Sequence, residues 1–129
     1  MKRKKFTVLI LALCIMLITG ACGASDLGYT QISQDEAKDI MDSGAEHIIL
    51  DVRTQEEYDA GHIPNSILIP DYDIEEKAEE ILTDKEATIL VYCRSGNRSK
   101  SASSVLAELG YTDVREFGGI NDWPYEVVK

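Results

Sequence analysis

Cysteine, histidine and basic side chains are scarce in this chain of 129 residues, and each scarcity removes a class of function. Of three cysteines, Cys14 and Cys22 lie in the amino-terminal segment, so Cys93 alone is left for the body of the chain and no disulfide can form within it. The two histidines, His47 and His62, stand in no cluster of ligands at metal spacing, and neither a metal nor an organic cofactor is expected. Lysine and arginine total 13 against 23 aspartates and glutamates, a formal charge of -10. Lys2, Arg3, Lys4 and Lys5 are four of those cations, so the remainder carries nine against 23, or -14. Such acidity argues against nucleic-acid binding and against broad electrostatic adhesion to anionic lipid. No internal repeat or second domain is visible, and the length suits one domain, expected to act as a monomer.

The amino terminus reads as an export segment. A basic start is followed by an apolar run from Phe6 to Ile18, too short to cross a bilayer comfortably as a permanent helix, and then by Thr19-Gly20-Ala21 before Cys22. This pattern resembles a bacterial lipoprotein signal. The resemblance implies that residues 1–21 are removed, that Cys22 is lipidated and begins a short tether over residues 22–28, and that residues 29–129 form a domain anchored to a bacterial membrane outside the cytoplasm. An uncleaved anchor or a plain secretory peptide is the alternative, and either places the domain in the same compartment. A lone free thiol kept in an oxidising compartment points to a reactive role for Cys93.

Hydrophobic residues make up 44% of the chain, enough for a core, and they fall into strands alternating with helices. Tyr29 to Ile32 reads as a short edge strand. Ser33 and Glu36 form a capping box for a helix with an apolar stripe of Ala37, Ile40 and Met41, ended by Gly44. His47 to Val52 reads as a buried strand whose carboxyl end is Asp51-Val52-Arg53. Thr54 and Glu57 form a second capping box, and Arg53 and Glu57 are expected to pair across that turn. Ile67-Leu68-Ile69 is a third strand. Asp73 to Leu82 reads as an acidic helix burying Ile74, Ala78, Ile81 and Leu82, with Glu75, Glu76, Glu79 and Glu80 on a solvated face. Val114 to Phe117 is the last strand, and a final short helix surrounds Trp123, a core residue. This order implies parallel strands joined by right-handed crossovers, an α/β fold with helices on both faces of the sheet. Ligands of such sheets sit beyond the carboxyl ends of the strands.

One loop occupies that place. Ala87 to Tyr92 reads as a buried strand that stops at Cys93, and Ala102, Val105, Leu106 and Leu109 recur at i, i+3, i+4 and i+7 in the helix beyond. Backbone N–H groups at a helix start have no intrahelical partners and carry partial positive charge, so Cys93-Arg94-Ser95-Gly96-Asn97-Arg98-Ser99 can hold an anion over the sulfur. Gly96 permits the tight turn, and Arg94 and Arg98 add positive charges that favour the thiolate. Ser99 is expected to cap the helix and donate a hydrogen bond to the sulfur. A lone cysteine at a strand end is ordinarily a small buried hydrophobe. Glycine and two arginines beside it at a strand-to-helix junction shift the reading to an activated nucleophile beneath an anion-sized cup.

Asp51-Val52-Arg53 with Glu57-Tyr58 and Gly61-His62-Ile63-Pro64 resembles the amino-terminal signature of the rhodanese family. Cys-x-x-Gly-x-Arg-Ser at Cys93 resembles its active-site loop, and Phe117-Gly118-Gly119 with Trp123 its carboxyl-terminal signature. The three motifs stand in order across roughly Tyr29 to Tyr125. The resemblance implies a single rhodanese-like domain and sulfur transfer: Cys93 takes the outer sulfur of a small anionic donor such as thiosulfate and passes it to cyanide or a thiol. Arg94 to Ser99 would bind the substrate, while Asp51, Arg53, Glu57 and His62 would support the site, His62 by shaping a turn. A partner-dependent persulfide carrier or binding module is the alternative. A cysteine phosphatase or arsenate reductase is disfavoured, because four residues separate Cys93 from Arg98 where the phosphatases place five.

Overall fold

Parity along one strand fixes where the cysteine points. The structure, a computed structural model, describes residues 27–129, so the signal segment and Cys22 lie outside the described residues. In β4 (Thr88–Cys93), Ile89, Val91 and Cys93 join one core cluster and Leu90 and Tyr92 the other, because successive side chains of a strand alternate between faces. The first cluster is closed by Ile74 and Ala78 of α3 (Ile74–Ile81) and by Ala102 and Leu106 of α4 (Asn97–Glu108). The second is closed by Ala37 of α1 (Gln34–Asp42), Ile63 and Trp123. Helical or coil layers thus cover both faces, as the alternation of strands and helices predicts.

The sheet contains β1 (Thr30–Gln31), β2 (Ile48–Asp51), β3 (Ile67–Leu68), β4 and β5 (Asp113–Gly119) in the order β1-β5-β4-β2-β3, every pair parallel. The two longest strands lie at the centre, and their carboxyl ends stand together at Cys93 and Gly119. Both expected capping boxes are present. Ser33 Oγ accepts from the Glu36 N–H at 3.0 Å, and Thr54 Oγ1 from the Glu57 N–H at 3.2 Å, starting α1 and α2 (Gln55–Ala60). A cap of this kind stabilises its helix by about 1 kcal/mol.

Three expectations are corrected. The acidic segment opens as a 3-10 turn over Asp71–Asp73 before α3, and Ile81 is 48% exposed instead of buried. Its buried stripe follows Ile74, Ala78 and Leu82 at four-residue spacing, which leaves Ile81 over the cleft beside β3. The final short helix is a 3-10 turn, Ile120–Asp122, with Trp123 just after it in the core. The edge strand is confined to Thr30–Gln31, paired with Arg115 and Glu116.

Candidate active site

Arg94, Ser95 and Gly96 are all that separate β4 from α4. Gly96 caps α4 at a φ of 108°, a left-handed conformation that side chains resist, and its N–H donates to Cys93 Sγ at 3.0 Å. Asn97, Arg98 and Ser99 form the first turn, whose N–H groups lack intrahelical acceptors, so the positive end of α4 lies at the loop. Cys93 is 1% exposed, covered by this short loop, while Arg94, Ser95 and Asn97 lie on its exposed rim.

The loop rests on β5. The β4–β5 register shifts between Val91 and Cys93, so that Cys93 pairs with Gly119. A Cβ on Gly119 would overlap the Arg94 carbonyl oxygen and stand 2.7 Å from Ser95 Cα. These are backbone atoms, which no rotamer change can move aside. The Arg94 carbonyl also accepts from the Asn121 N–H at 3.1 Å. Gly119→Ala is therefore expected to displace the loop and slow Cys93 alkylation by about a hundredfold, the cost of misplacing a reacting group by an ångström or so. A rate within threefold of the parent would show that the loop is positioned elsewhere.

Ser99 departs from its expected role. Gly96 is the cap, and Ser99 is the third residue of the helix, fully buried. Its hydroxyl donates to Glu116 Oε2 at 2.5 Å, and the Cys93 thiol donates to Ser99 Oγ at 3.4 Å. A carboxylate oxygen is a far stronger acceptor than sulfur, and it takes the serine proton. Glu116, 3% exposed, also accepts from the Gly118 N–H at 2.9 Å.

The Arg53–Glu57 pair does not form. Arg53 folds back on Asp51, Nη2 to Oδ2 at 2.7 Å and Nε to Oδ1 at 3.0 Å, and its second contact is the Gly61 carbonyl at 2.7 Å. Asp51 is fully buried and Arg53 nearly so, and a buried charge requires a close partner. The Tyr92 hydroxyl donates to Asp51 at 2.6 Å; burial, with Asp51 adding, pushes its pKa far up and keeps it a donor. Glu57 instead grips Arg98 in a two-point pair at 2.7 and 2.9 Å, clamping α2 to the start of α4. Arg98 thus reaches the site with its charge largely matched. His62 stacks on Tyr58 with ring centroids 3.7 Å apart and bonds the Tyr58 carbonyl through Nδ1, in keeping with a turn-shaping role. His47 stands just before β2, its Nδ1 on the Ala45 carbonyl.

Hydrogen bonds from Arg98, with Thr54 adding, lower the Glu57 pKa to about 2 against the effect of burial. A depressed carboxyl pKa stabilises the fold above its unfolded value, about 4.3, and that stability is lost as pH falls towards 2. The stability difference between the parent and Arg98→Ala is expected to shrink across this window; a difference unchanged from neutrality to pH ~2 would exclude the clamp.

Two site residues were missed in the sequence, Glu116 and Tyr92. Glu116 shares strand parity with buried Val114, and a carboxylate on the buried side of a strand was the available signal. Tyr92 gave none, since its partners lie 26, 29 and 41 residues away.

The model of the rhodanese-like domain family matches residues 33–125. Thiosulfate sulfurtransferase PspE of Escherichia coli is 40% identical over 85 residues, covering 66% of this chain and 81% of that protein. Adenylyltransferase and sulfurtransferase UBA4 of Candida albicans is 32% identical over 104 residues, which is 75% of this chain but 24% of that longer protein. A solved structure described as a rhodanese with anions from E. coli superposes with a TM-score of 0.60 at 39% identity, over 66% of this chain and 99% of that one. A cysteine roofed by a helix N-terminus at the end of a central parallel strand, in a chain so matched, makes this protein a member of the rhodanese-like domain family, homologous to thiosulfate sulfurtransferases.

Proposed function

We propose that the protein is a sulfurtransferase of the thiosulfate sulfurtransferase type that works through a persulfide on Cys93. The Cys93 thiolate attacks the outer sulfur of a donor such as thiosulfate; the donor's S–S bond breaks and sulfite leaves with the electron pair. Cyanide or a thiol then attacks the outer sulfur of the persulfide, forming thiocyanate or a new persulfide and restoring the thiolate. The observation that carries this reading is the Gly96 N–H at 3.0 Å from Cys93 Sγ beneath the positive end of α4. Donors fixed in advance stabilise charge on the sulfur through both half-reactions without reorganisation. The near-complete cover over Cys93 favours a small donor presented end-on. Arg94 at the rim attracts the anion, and Arg98, Ser95 and Asn97 complete the mouth. Anchoring by lipidated Cys22 outside the cytoplasm belongs to the same proposal and rests on the amino-terminal pattern.

Intact-mass analysis of the full chain after thiosulfate and then cyanide tests the reading. One sulfur gained on Cys93 and lost with formation of thiocyanate is expected. No gain on folded, reduced protein would move the assignment to a partner-dependent persulfide carrier. Arg98→Ala is expected to raise the donor KM and to slow Cys93 alkylation near neutrality, each by about threefold to tenfold, since the cation it removes is already paired. Unchanged values of both would mean that backbone groups alone hold the anion.

A further inference from the structure

The buried carboxylate behind the active cysteine has no part in the scheme above. Cys93 Sγ, Ser99 Oγ and Glu116 Oε2 form a continuous hydrogen-bond chain with spacings of 3.4 and 2.5 Å. All three residues are at most 3% exposed, so bulk water does not compete for these contacts. The chain is polarised one way, thiol to hydroxyl and hydroxyl to carboxylate. Beyond it, Glu116 lines a cleft of about 420 Å³ with Gln34, Ser95, Lys100 and Asp122.

We propose that Cys93, Ser99 and Glu116 form a proton relay in which Glu116 stores the thiol proton while Cys93 acts as nucleophile. The S–H bond breaks with its electron pair left on sulfur, and the proton passes to Ser99 Oγ as the serine's own proton passes to Glu116 Oε2. Sulfur ends anionic, serine neutral and the glutamic acid neutral, so the site gains no net charge. The polarity of the chain is then reversed: the acid donates to Ser99, and Ser99 donates to the sulfur. The hydrogen bond to sulfur expected of Ser99 thus belongs to the thiolate state. Glu116 is a positioning residue, acting through Ser99, and its purpose rests on the sulfur-transfer reading although its detection does not.

The charged groups around the relay are Arg94 and Arg98 near the sulfur, Lys100 and Asp122 along the cleft, and Tyr29 before β1, whose phenol is raised by burial and by Glu116. None is altered by the test. The rate of Cys93 alkylation by iodoacetamide is followed against pH on the full chain. A shared proton gives two rises separated by more than about one pH unit, because the steps belong to the pair. The infrared carbonyl stretch of a protonated carboxyl should disappear with the second rise. Glu116→Gln keeps an acceptor for Gly118 and Ser99 but takes up no proton, and should show one rise. Should that variant fail to fold, Ser99→Ala breaks the chain at its middle and should also show one rise. A single rise in the parent, or two rises surviving in either folded variant, would overturn the relay. Alkylation needs no sulfur donor, so two rises without sulfur gain from thiosulfate would sink the sulfur-transfer reading alone, whereas sulfur gain with one rise would sink only the relay.

Discussion

Replacing Cys93 with serine is expected to abolish sulfur transfer completely while leaving the fold in place. The reaction requires an atom that attacks a sulfur, carries it as a persulfide and releases it, and an alkoxyl oxygen performs none of these steps here. Serine differs from cysteine by one atom, at a buried position on the same core face as Val91, and its hydroxyl can accept from the Gly96 N–H as the sulfur does. Stability should therefore change by no more than about 1 kcal/mol, the scale of one exchanged hydrogen bond. Intact mass after thiosulfate, with urea unfolding on the same sample, checks both halves. Thiocyanate formed by the serine variant would remove Cys93 from the mechanism.

The largest expected loss of stability comes from Asp51→Ala. The carboxylate at the end of β2 receives the Arg53 side chain and backbone N–H and the Tyr92 hydroxyl, and removing it strands a guanidinium that is 5% exposed. Breaking a buried pair by deleting one partner costs about 3–5 kcal/mol, against a total of about 5–15 kcal/mol for a domain. Tyr92 and Arg53 also hold the turn that follows α2, through the Ile63 N–H and the Gly61 carbonyl, so that turn should loosen first. Urea unfolding and hydrogen exchange at Gly61 to Ile63 are the measurements. A loss below about 1 kcal/mol would mean that Arg53 finds water or another partner, and that the cluster does not anchor the turn.

Legibility of the site in the sequence follows the distance over which each contact acts. The two capping boxes and the Gly96 turn are contacts within three residues, and each is found where the spacing placed it. Arg53 shows the weakness of local reasoning alone. Glu57 lies within reach along the chain, yet Asp51 is the buried charge, and burial is a property of the assembled sheet. Glu57 meets Arg98 across 41 residues, a pairing created when the parallel arrangement brings α2 beside the start of α4. The loop motif marks Ser99 as a site residue, but its hydrogen-bond direction depends on Glu116, 17 residues later on β5.

By itself the sequence determined the α/β alternation, the parallel sheet and the position of Cys93 at the carboxyl end of its central strand, because hydrophobic periodicity, caps and turn glycines are local and the crossover rule leaves few topologies. Only the tertiary structure decided which charges are matched around that cysteine. Strand register brought Gly119 beneath the loop, helix packing gave Arg98 to Glu57, and β5 set Glu116 behind Ser99. Electrostatic partners are chosen by proximity and desolvation after the core has formed, and neither quantity is written in the spacing of residues along the chain.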